Sequence, residues 1–458
     1  MLFHSTRGKD SGKDFASILM QGLADDGGLF MPDYWPQVDL DEIRSKTSFI
    51  EIAKCVVPLF TASSFSHDET INIVESTWHD FEHKDLIGIK EVNSVSILEL
   101  FHGPTAAFKD FGLQLAAAFF NKVLESENRT AIVLGATSGD TGSAAIDACK
   151  NYDRIKSFIM LPTGNMSEVQ RRQMSTINAS NVFALRISGT FDDCQDLVKL
   201  AFKKRDFLKN NQYLLAVNSI NWTRIIGQIC YYFYAFNKLH QKGDLIFSVP
   251  TGNFGNVFAC YSAHKMGLPM KKISVAVNNN DILHRFFSEN NYSKQHVRET
   301  LSPSMDISVA SNFERLVYDL FLDRDSSKSS TMFNNFPDLP IEFDQKIWKK
   351  KDDLFSSNKV NDEETTNMIK EIYDAHGYIL DPHTAVAAVE AFQKSDSGNH
   401  FVVLSTAHPA KFPKVYEDLN IEINSLPASL SNLFDKDEHL HTFDADYNQI
   451  INFINLNN

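Results

Sequence analysis

Apolar and polar positions change their spacing along the chain. From about residue 94, short β-branched runs alternate with longer stretches of helical periodicity, which is typical of a parallel α/β sheet. Strands are predicted at 131–136, 157–162, 182–188, 244–250, 272–278 and 400–406, and helices at 111–126, 143–150, 167–175, 190–205, 223–239 and 381–395. In such sheets ligands bind beyond the carboxyl ends of the strands, so the loops after the strands are the first candidates for a site.

The first 85 or so residues lack this alternation. We therefore expect three domains: a mostly helical N-terminal domain at 1–85, a first α/β lobe at 86–220 and a second at 221–458. Residues at about 289–365 are richer in Ser, Asn and Asp, which predicts a polar insertion in the second lobe. A chain of 458 residues is too long for one ordinary core, which agrees with such a division.

Charge and cysteine usage narrow the function classes. The net charge is −14 and there is no dense basic run with interleaved aromatic residues, so we expect no nucleic-acid partner. The 5 cysteines are widely spaced without a Cys/His pattern, which predicts no metal site and a reducing, cytoplasmic location. No apolar run approaches the ~20 residues that cross a bilayer, so we expect no membrane partner, and the run at 225–236 predicts a buried helix.

One lysine stands in unusually apolar surroundings. In "LFHGPTAAFKDFG", residues 100–112, Lys109 lies among small and aromatic residues. A lysine in a pocket loses hydration and its pKa falls, so that the neutral amine can attack a carbonyl group. A surface lysine whose stem covers apolar atoms at a helix start is the more common case, and this stretch alone does not exclude it.

Two glycine-rich loops follow predicted strands and lead into helices. They are "GATSGDTGSAA" at 135–145 and "TGNFGN" at 251–256. Glycines let the backbone approach a ligand, and helix starts offer free N–H groups to an anion. Neither loop has a P-loop or G-x-G-x-x-G pattern, which argues against a nucleotide-dependent dehydrogenase, and either one alone could serve only backbone geometry. Together with Lys109 they indicate a ligand with a phosphate and an aldehyde, which pyridoxal phosphate supplies.

Two further segments carry polar residues at candidate ligand positions. "STAHPAKF", residues 405–412, places Thr406, His408 and Lys411 at a strand end. Thr406 could hydrogen-bond a pyridine nitrogen or cap the next helix. In "NSINWTRI", residues 218–225, Arg224 could bind a phosphate through two hydrogen bonds or form a surface salt bridge. Spacing alone leaves these alternatives open.

In their order, these stretches resemble the threonine synthase family, whose members are pyridoxal phosphate enzymes of fold type II, the tryptophan-synthase-β type. The segments that carry the resemblance are "HSTRG" (4–8), "DDGGLFMP" (25–32), "FHGPTAAFKDFG" (101–112), "GATSGDTGSAA", "NSINWTRI", "PTGNFGN" (250–256), "LSPSMDISVASNFERL" (301–316), "DPHTAVA" (381–387) and "STAHPAKFP" (405–413). They cover nearly the whole chain, and the early "HSTRG" favours the microbial and fungal form. The resemblance implies an α/β fold with two parallel-sheet lobes, the cofactor between them and a mostly helical N-terminal region.

The resemblance also implies roles for residues. Lys109 would form the Schiff base with pyridoxal phosphate, and Thr406 would lie near the pyridine nitrogen. We expect Asp110 to be a helix N-cap rather than a base. The cofactor phosphate would be held by Gly252, Asn253, Phe254, Gly255 and Asn256. Candidates on the substrate side are Thr137, Ser138, Asp140 and Thr141 in the loop for the carboxylate, and Ser5, Arg7, Asn218 and Arg224 around the phosphate.

A member of this family is expected to be a carbon–oxygen lyase that acts on a phosphate ester. It would convert O-phospho-L-homoserine and water into L-threonine and phosphate, the last step of threonine biosynthesis, with Lys109 as general acid and base. One alternative is a related phospho-lyase that forms 2-oxobutyrate from O-phosphothreonine or phosphohomoserine. Another is a non-catalytic binding protein that kept the fold. We expect a small-molecule substrate and a monomer or weak homo-oligomer.

Overall fold

A computed structural model of the chain describes residues 1–164, 166–395 and 398–458. The strands are β1 Phe3–Ser5, β2 Phe30–Pro32, β3 Gly88–Val92, β4 Val95–Glu99, β5 Thr130–Ala136, β6 Ile155–Pro162, β7 Val182–Ser188, β8 Gln212–Leu215, β9 Leu245–Pro250, β10 Lys272–Val277, β11 Phe355–Lys359, β12 His400–Ser405 and β13 Leu440–Asp444.

The α-helices surround these strands. They are α1 Phe15–Gln21, α2 Leu40–Ser45, α3 Phe49–Val56, α4 Pro58–Thr61, α5 His67–Thr77, α6 Lys109–Ser126, α7 Asp140–Cys149, α8 Glu168–Ser175, α9 Phe191–Lys204, α10 Trp222–Leu239, α11 Gly255–Lys265, α12 Ile282–Glu289, α13 Phe313–Leu316, α14 Ser326–Asn335, α15 Gln345–Trp348, α16 Asp362–His376, α17 Pro382–Lys394, α18 Pro413–Leu419, α19 Ala428–Ser431 and α20 Tyr447–Asn457. Short 3-10 helices lie at His240–Lys242, Pro303–Met305, Lys349–Lys351, Pro409–Lys411 and Leu433–Asp435, and a π-helical turn at Val317–Phe321.

Two larger sheets form the framework. One has the order β11-β10-β9-β12-β4-β3 and is parallel except for β3, which runs antiparallel to β4. The other has the order β13-β7-β6-β5-β8 and is parallel throughout. The strands and helices predicted from the sequence pattern are confirmed. The expected α/β fold with two parallel-sheet units is therefore present.

The strands that the pattern did not predict are mostly edge strands. β3 and β11 close the ends of the first sheet, and β8 and β13 close the ends of the second. An edge strand has a single neighbour and can be short and polar, as "FSSNK" in β11 is, so it lacks a clear apolar signal.

β3 and β4 join the sheet that contains β9 and β12, and β13 joins the sheet that contains β5. The division of the chain at residues 85 and 220 stays a prediction.

The N-terminal region is mostly helical, as expected. It contains α1 to α5 and a short antiparallel ribbon of β1 and β2. Its apolar side chains, such as Phe15 and Ile52, belong to one continuous core with α6 and α10. Every residue of α10 from Trp222 to Phe236 is buried, which confirms the predicted buried helix. In the part of the chain that the structure describes, no helix has the length and apolar character to cross a membrane.

Helices α6 and α10 pack closely because glycines lie at their contact. A Cβ atom on Gly112 would lie 2.9 Å from the Cα atom of Arg224, and one on Gly227 would lie 2.7 Å from the carbonyl oxygen of Phe111. Backbone atoms cannot yield as a flexible side chain can. The crossing therefore fixes the start of α6, where Lys109 lies, relative to the start of α10.

Replacing Gly227 with valine should separate these two helices. Because the new side chain would meet backbone atoms of α6, we expect Gly227→Val to lower the free energy of unfolding by about 1–3 kcal/mol. Urea unfolding measures the change, and Lys370→Val on the exposed side of α16 is the control, with an effect within about 0.5 kcal/mol. Equal midpoints for Gly227→Val and wild type would contradict the close contact.

Candidate active site

A cavity lies beyond the carboxyl ends of β5, β9 and β12. Its wall is formed by the starts of α6, α7, α10 and α11 and by the loops after β9 and β12. The residues predicted from the sequence that line it are Lys109, Asp140, Thr141, Arg224, Thr406 and residues 252–256. The structure therefore brings the predicted lysine, the predicted phosphate loop and the predicted strand-end threonine to one place.

Lys109 is the first residue of α6, and its side chain is 12% exposed. Its Nζ atom donates to Ser304 Oγ at 3.4 Å and lies 3.8 Å from Asp140 Oδ2. Burial lowers the pKa of Lys109 to about 8, and Arg224 and Lys411 act in the same direction, whereas Asp140 opposes them. A substantial fraction of the amine is therefore neutral at mildly alkaline pH.

The loop before Lys109 is tied to the end of β12. Ala106 has a left-handed φ of 54°, which turns the chain toward the helix. The Phe108 N–H donates to the Thr406 carbonyl at 2.9 Å, and the His408 N–H donates to the Ala106 carbonyl at 3.0 Å. Lys109 and Thr406 are therefore positioned by the same pair of short antiparallel contacts.

Asp110 has a different structural role from the helix cap that we expected. The N-cap position of α6 is Phe108, so the expectation that Asp110 is the N-cap is wrong. Its carboxylate lies inside the first turn and accepts from the Thr105 N–H at 2.9 Å and the Thr105 hydroxyl at 2.6 Å. Burial raises the pKa of Asp110 to about 7. Asp110 thus fixes the loop from within the helix instead of capping it.

Asp140 is the first residue of α7 and is 4% exposed. Its Oδ1 accepts from Lys411 Nζ at 2.8 Å and from Gln170 Nε2 at 2.9 Å, and its Oδ2 accepts from Ser304 Oγ at 3.1 Å. Burial alone would raise its pKa, but Lys411 and Lys109 together hold the pKa of Asp140 below its ordinary value. The carboxylate is therefore ionised and occupied by donors of the protein.

The loop between β9 and α11 is shaped to bring backbone close to a ligand. A Cβ atom on Gly252 would lie 2.7 Å from the Ser304 carbonyl oxygen, so only glycine fits there. Phe254 is fully buried with a φ of 62°, which turns the chain directly into α11. The start of α11 has no side-chain cap. Its first N–H groups are therefore free for an anion.

Asn256 adds a side-chain donor to this loop. Its Oδ1 accepts from the hydroxyls of Tyr231 and Tyr232, the second at 2.7 Å. Its buried Nδ2 has no partner among the described residues. A buried donor without an acceptor costs about 1–3 kcal/mol, and a phosphate oxygen would supply the missing acceptor. The residues present thus fit the phosphate of pyridoxal phosphate, while Lys109 fits its aldehyde.

Arg224 is a buried cation at the start of α10. It is 4% exposed, its Nη1 donates to the Val217 carbonyl at 3.4 Å, and its Nε has no partner within the described ranges. Burial lowers the pKa of Arg224 to about 10. A guanidinium without a carboxylate partner in a cavity favours binding of an anion, because burial of an unpaired charge is costly.

Two predicted substrate residues of the N-terminal region make contacts of their own. Ser5 is buried and donates to Asp26 Oδ1 at 2.7 Å. Arg7 donates to both carboxylate oxygens of Glu314, at 3.0 and 2.8 Å. Neither residue lines the cavity that contains Lys109. Their assignment to the substrate stays a prediction.

Three predicted residues lie near the cavity without lining it. Thr137 Oγ1 accepts the N–H groups of Gly139 and Gly142, at 3.0 and 2.9 Å, and so shapes the start of α7. Ser138 is exposed, and Asn218 lines a separate, larger cavity beside β8. Their roles toward the substrate also stay predictions.

Ser304 and His383 belong to the site although the residue pattern did not single them out. The Ser304 N–H donates to His383 Nε2 at 3.2 Å, and His383 Nδ1 lies 3.0 Å from Asp381 Oδ1. Both residues line the cavity. They lie inside the quoted segments 301–316 and 381–387, so the available signal was the resemblance of these segments, and their spacing from Lys109 along the chain is too large for a local pattern.

Family models match most of the chain. A model described as "Threonine synthase N terminus" matches residues 2–78, one described as "Pyridoxal-phosphate dependent enzyme" matches residues 90–330, and one described as "Threonine synthase, C-terminal" matches residues 384–454. The second match contains Lys109 and the loop at 251–256.

Individual proteins agree with these models. Threonine synthase of Pseudomonas aeruginosa is 44% identical, over 96% of this chain and 94% of that protein. The crystal structure of pyridoxal-phosphate-bound threonine synthase from Brucella melitensis is 37% identical, with a TM-score of 0.95 over 100% of this chain and 99% of that one. Yeast threonine synthase superposes with a TM-score of 0.92 at 36% identity, over 100% of this chain and 98% of that one. Over nearly its full length, therefore, the chain belongs to the threonine synthase family of pyridoxal-phosphate-dependent enzymes.

Proposed function

We propose that this enzyme converts O-phospho-L-homoserine and water into L-threonine and phosphate. The observation that carries the proposal is the presence of two buried cationic groups with different surroundings in one cavity. Lys109 lies beside a carboxylate, and Arg224 has no carboxylate partner among the described residues. The surroundings of Lys109 suit an amine that must lose and regain a proton. Those of Arg224 suit a permanent positive charge that binds a phosphate.

The cofactor would be held at three points. The loop at 252–256 and the start of α11 would bind its phosphate, Thr406 would lie at its pyridine nitrogen, and Lys109 would hold its aldehyde carbon. When bound, pyridoxal phosphate supplies the electron sink that eases removal of protons from the substrate carbons. A hydroxyl at the pyridine nitrogen suits this type of enzyme, because it does not keep the ring fully charged as an aspartate would.

Lys109 is the proposed general acid and base. Burial brings its pKa to about 8, so the amine can take a proton from the α or β carbon and return it without a large energetic penalty. Ser304 Oγ lies 3.4 Å from Nζ and Asp140 Oδ2 lies 3.8 Å away, so the amine has a fixed direction in the cavity. The small and apolar residues before Lys109 keep water from the amine.

The remaining charges would orient the substrate. Arg224 would bind the phosphate of O-phospho-L-homoserine and stabilise it as it leaves. The N–H group of Thr141 in the first turn of α7 would bind the substrate carboxylate, while Thr137 Oγ1 accepts the N–H of Gly142 in the same turn. The two anionic ends of the substrate would then be held apart, with its α and β carbons between them and near Lys109.

We also propose a cytoplasmic location and a monomer or weak homo-oligomer. All 5 cysteines are free, and 4 of them are buried, as expected for a protein kept in a reducing compartment. The large apolar residues that are exposed come from separate segments, such as Tyr34, Leu339 and Leu456. The net charge of −14 supports our expectation that the protein does not bind nucleic acid.

Product analysis tests the proposed reaction. With O-phospho-L-homoserine as substrate, we expect threonine and phosphate in equal amounts. With O-phosphothreonine, we expect no comparable release of 2-oxobutyrate. Formation of 2-oxobutyrate as the main product from either compound would instead assign the chain to the related phospho-lyases.

Removing the Lys109 amine should stop the reaction. We expect Lys109→Ala to lower kcat by at least about 10⁴-fold and to abolish the absorbance near the visible edge that depends on the lysine-bound cofactor. Steady-state kinetics and absorption spectra measure both effects. Lys122→Ala, farther along α6, is the control and should keep both properties. A Lys109→Ala protein with the wild-type spectrum would contradict the role of Lys109.

Removing the Asn256 amide should weaken cofactor binding. Because its Nδ2 would donate to a charged phosphate, we expect Asn256→Ala to raise the Kd for pyridoxal phosphate about 10- to 100-fold. Equilibrium dialysis measures the Kd, with the exposed Asn151→Ala as control. An unchanged Kd for Asn256→Ala would mean that the loop at 251–256 does not hold the phosphate.

Removing the Arg224 charge should affect the substrate more than the cofactor. We expect Arg224→Met to lower kcat/KM for O-phospho-L-homoserine by about 10²-fold, since a charge-assisted hydrogen bond to phosphate is lost. The Kd for pyridoxal phosphate should stay near that of wild type, as it should in the exposed control Arg44→Met. If Arg224→Met lost the cofactor instead, the guanidinium would belong to the cofactor phosphate.

A further inference from the structure

Lys411 is a second buried lysine at the same site, and none of the steps proposed above uses it. It lies in the short helix after β12, and its side chain is 0% exposed. Its Nζ donates to the Thr105 carbonyl at 2.7 Å and to Asp140 Oδ1 at 2.8 Å. A buried ammonium needs a counter-ion, and Asp140 supplies it.

Asp140 faces two lysines with its two oxygens. Oδ1 contacts Lys411, whereas Oδ2 lies 3.8 Å from Lys109 Nζ and accepts a hydrogen bond from Ser304. A single negative charge is thus shared between two positive groups. The positive charge of Lys411 repels a proton on Lys109 and so offsets part of the attraction of the Asp140 carboxylate for that proton.

The other charged groups around Lys109 come from neighbouring elements. Arg224 at the start of α10 disfavours a proton on Lys109. His383 at the start of α17 accepts the Ser304 N–H at Nε2, and its Nδ1 lies 3.0 Å from Asp381 Oδ1. Asp110, the next residue in the chain, bonds to Thr105 and has a pKa raised to about 7 by burial. Asp140 is therefore the carboxylate whose charge acts most directly on Lys109.

We propose that Lys411 is a positioning residue that locks the Asp140 carboxylate beside Lys109 and sets how strongly this carboxylate favours a proton on the Lys109 nitrogen. The inference deepens the proposed function and rests on it, because it concerns the lysine that would hold the cofactor. Lys411 also joins three segments, since it binds the loop before Lys109 and the start of α7 from the end of β12.

Removing the charge of Lys411 and removing that of Asp140 should have opposite effects on Lys109, which a purely structural role of Lys411 would not produce. Without the charge of Lys411, Asp140 keeps Lys109 as its nearest cation, which favours a proton on the Lys109 nitrogen. Without the charge of Asp140, Lys109 faces Lys411 and Arg224 alone, which disfavours that proton. The two substitutions break the same ion pair but shift the protonation of Lys109 in opposite directions.

A pH titration of the holoenzyme tests this without turnover. The visible absorbance of the lysine-bound cofactor reports the proton on the Lys109 nitrogen. We expect Lys411→Met to raise the titration midpoint by about one pH unit and Asp140→Asn to lower it by about one pH unit. The double variant should lie closer to wild type than either single variant, because the two effects are coupled. Midpoints that move in the same direction, or that do not move, would overturn the proposal.

Two further variants control for charge and for folding. Lys414→Met, on the exposed side of α18, should leave the midpoint unchanged, and Lys411→Arg, which keeps the charge, should stay near wild type. Circular dichroism monitors folding of each variant. If Lys411→Met fails to fold, the proposal requires a lowered midpoint in Asp140→Asn and an unchanged one in Lys411→Arg, and any other pair of results overturns it.

The titration tests the role of Lys411, and the product analysis tests the proposed reaction, so either proposal can be contradicted without the other. Shifts of the predicted signs in an enzyme that forms no threonine would contradict the proposed function alone. Threonine formation with unmoved midpoints would contradict the role of Lys411 alone.

Discussion

A buried lysine amine keeps its proton more easily where a carboxylate lies close enough to offset part of the lost hydration, and Asp140 lies 3.8 Å from the Lys109 amine. The two residues begin different helices. Lys109 begins α6 after a loop tied to the end of β12 in one sheet, and Asp140 begins α7 after β5 in the other. The contact therefore exists only while the two sheets keep their mutual arrangement.

The close packing of helices α6 and α10 supports the position of Lys109 relative to the rest of the cavity. Because Gly112 and Gly227 have no side chains, the backbones approach closely, and the starts of both helices reach the same cavity. Arg224 is carried to the cavity by this packing and not by a salt bridge. It is held among buried atoms in the absence of a carboxylate partner in the described part of the chain, which leaves its charge available to a ligand.

The sequence predicts the inner strands and the positions of the glycine-rich loops well because both have strong local signals. A buried parallel strand such as β9 is a largely apolar run, and the loop at 251–256 has glycines next to a helix start. The edge strands β8, β11 and β13 have no such signal, and their pairing depends on neighbours far along the chain. The same limit applies to Asp110, which was expected to cap α6 and instead fixes Thr105, because a carboxylate in the first turn can serve either purpose.

The site shows the same division between local and long-range information. Lys109, Arg224 and the loop at 251–256 are candidates that local stretches of the sequence suggest, whereas the sharing of Asp140 between Lys109 and Lys411 joins residues that are far apart. The spacing of residues along the chain does not show which of the two buried lysines lines the cavity. Only the three-dimensional contacts separate Lys109, which lines the cavity, from Lys411, which is enclosed behind Asp140.

Covalent mapping of the cofactor distinguishes the two lysines. Treatment of the holoenzyme with borohydride fixes pyridoxal phosphate to the lysine that holds it, and mass spectrometry of the peptides then identifies the residue. We expect the label on Lys109, in the peptide that contains "AAFKDFG". A label on Lys411, or on any other lysine, would contradict it.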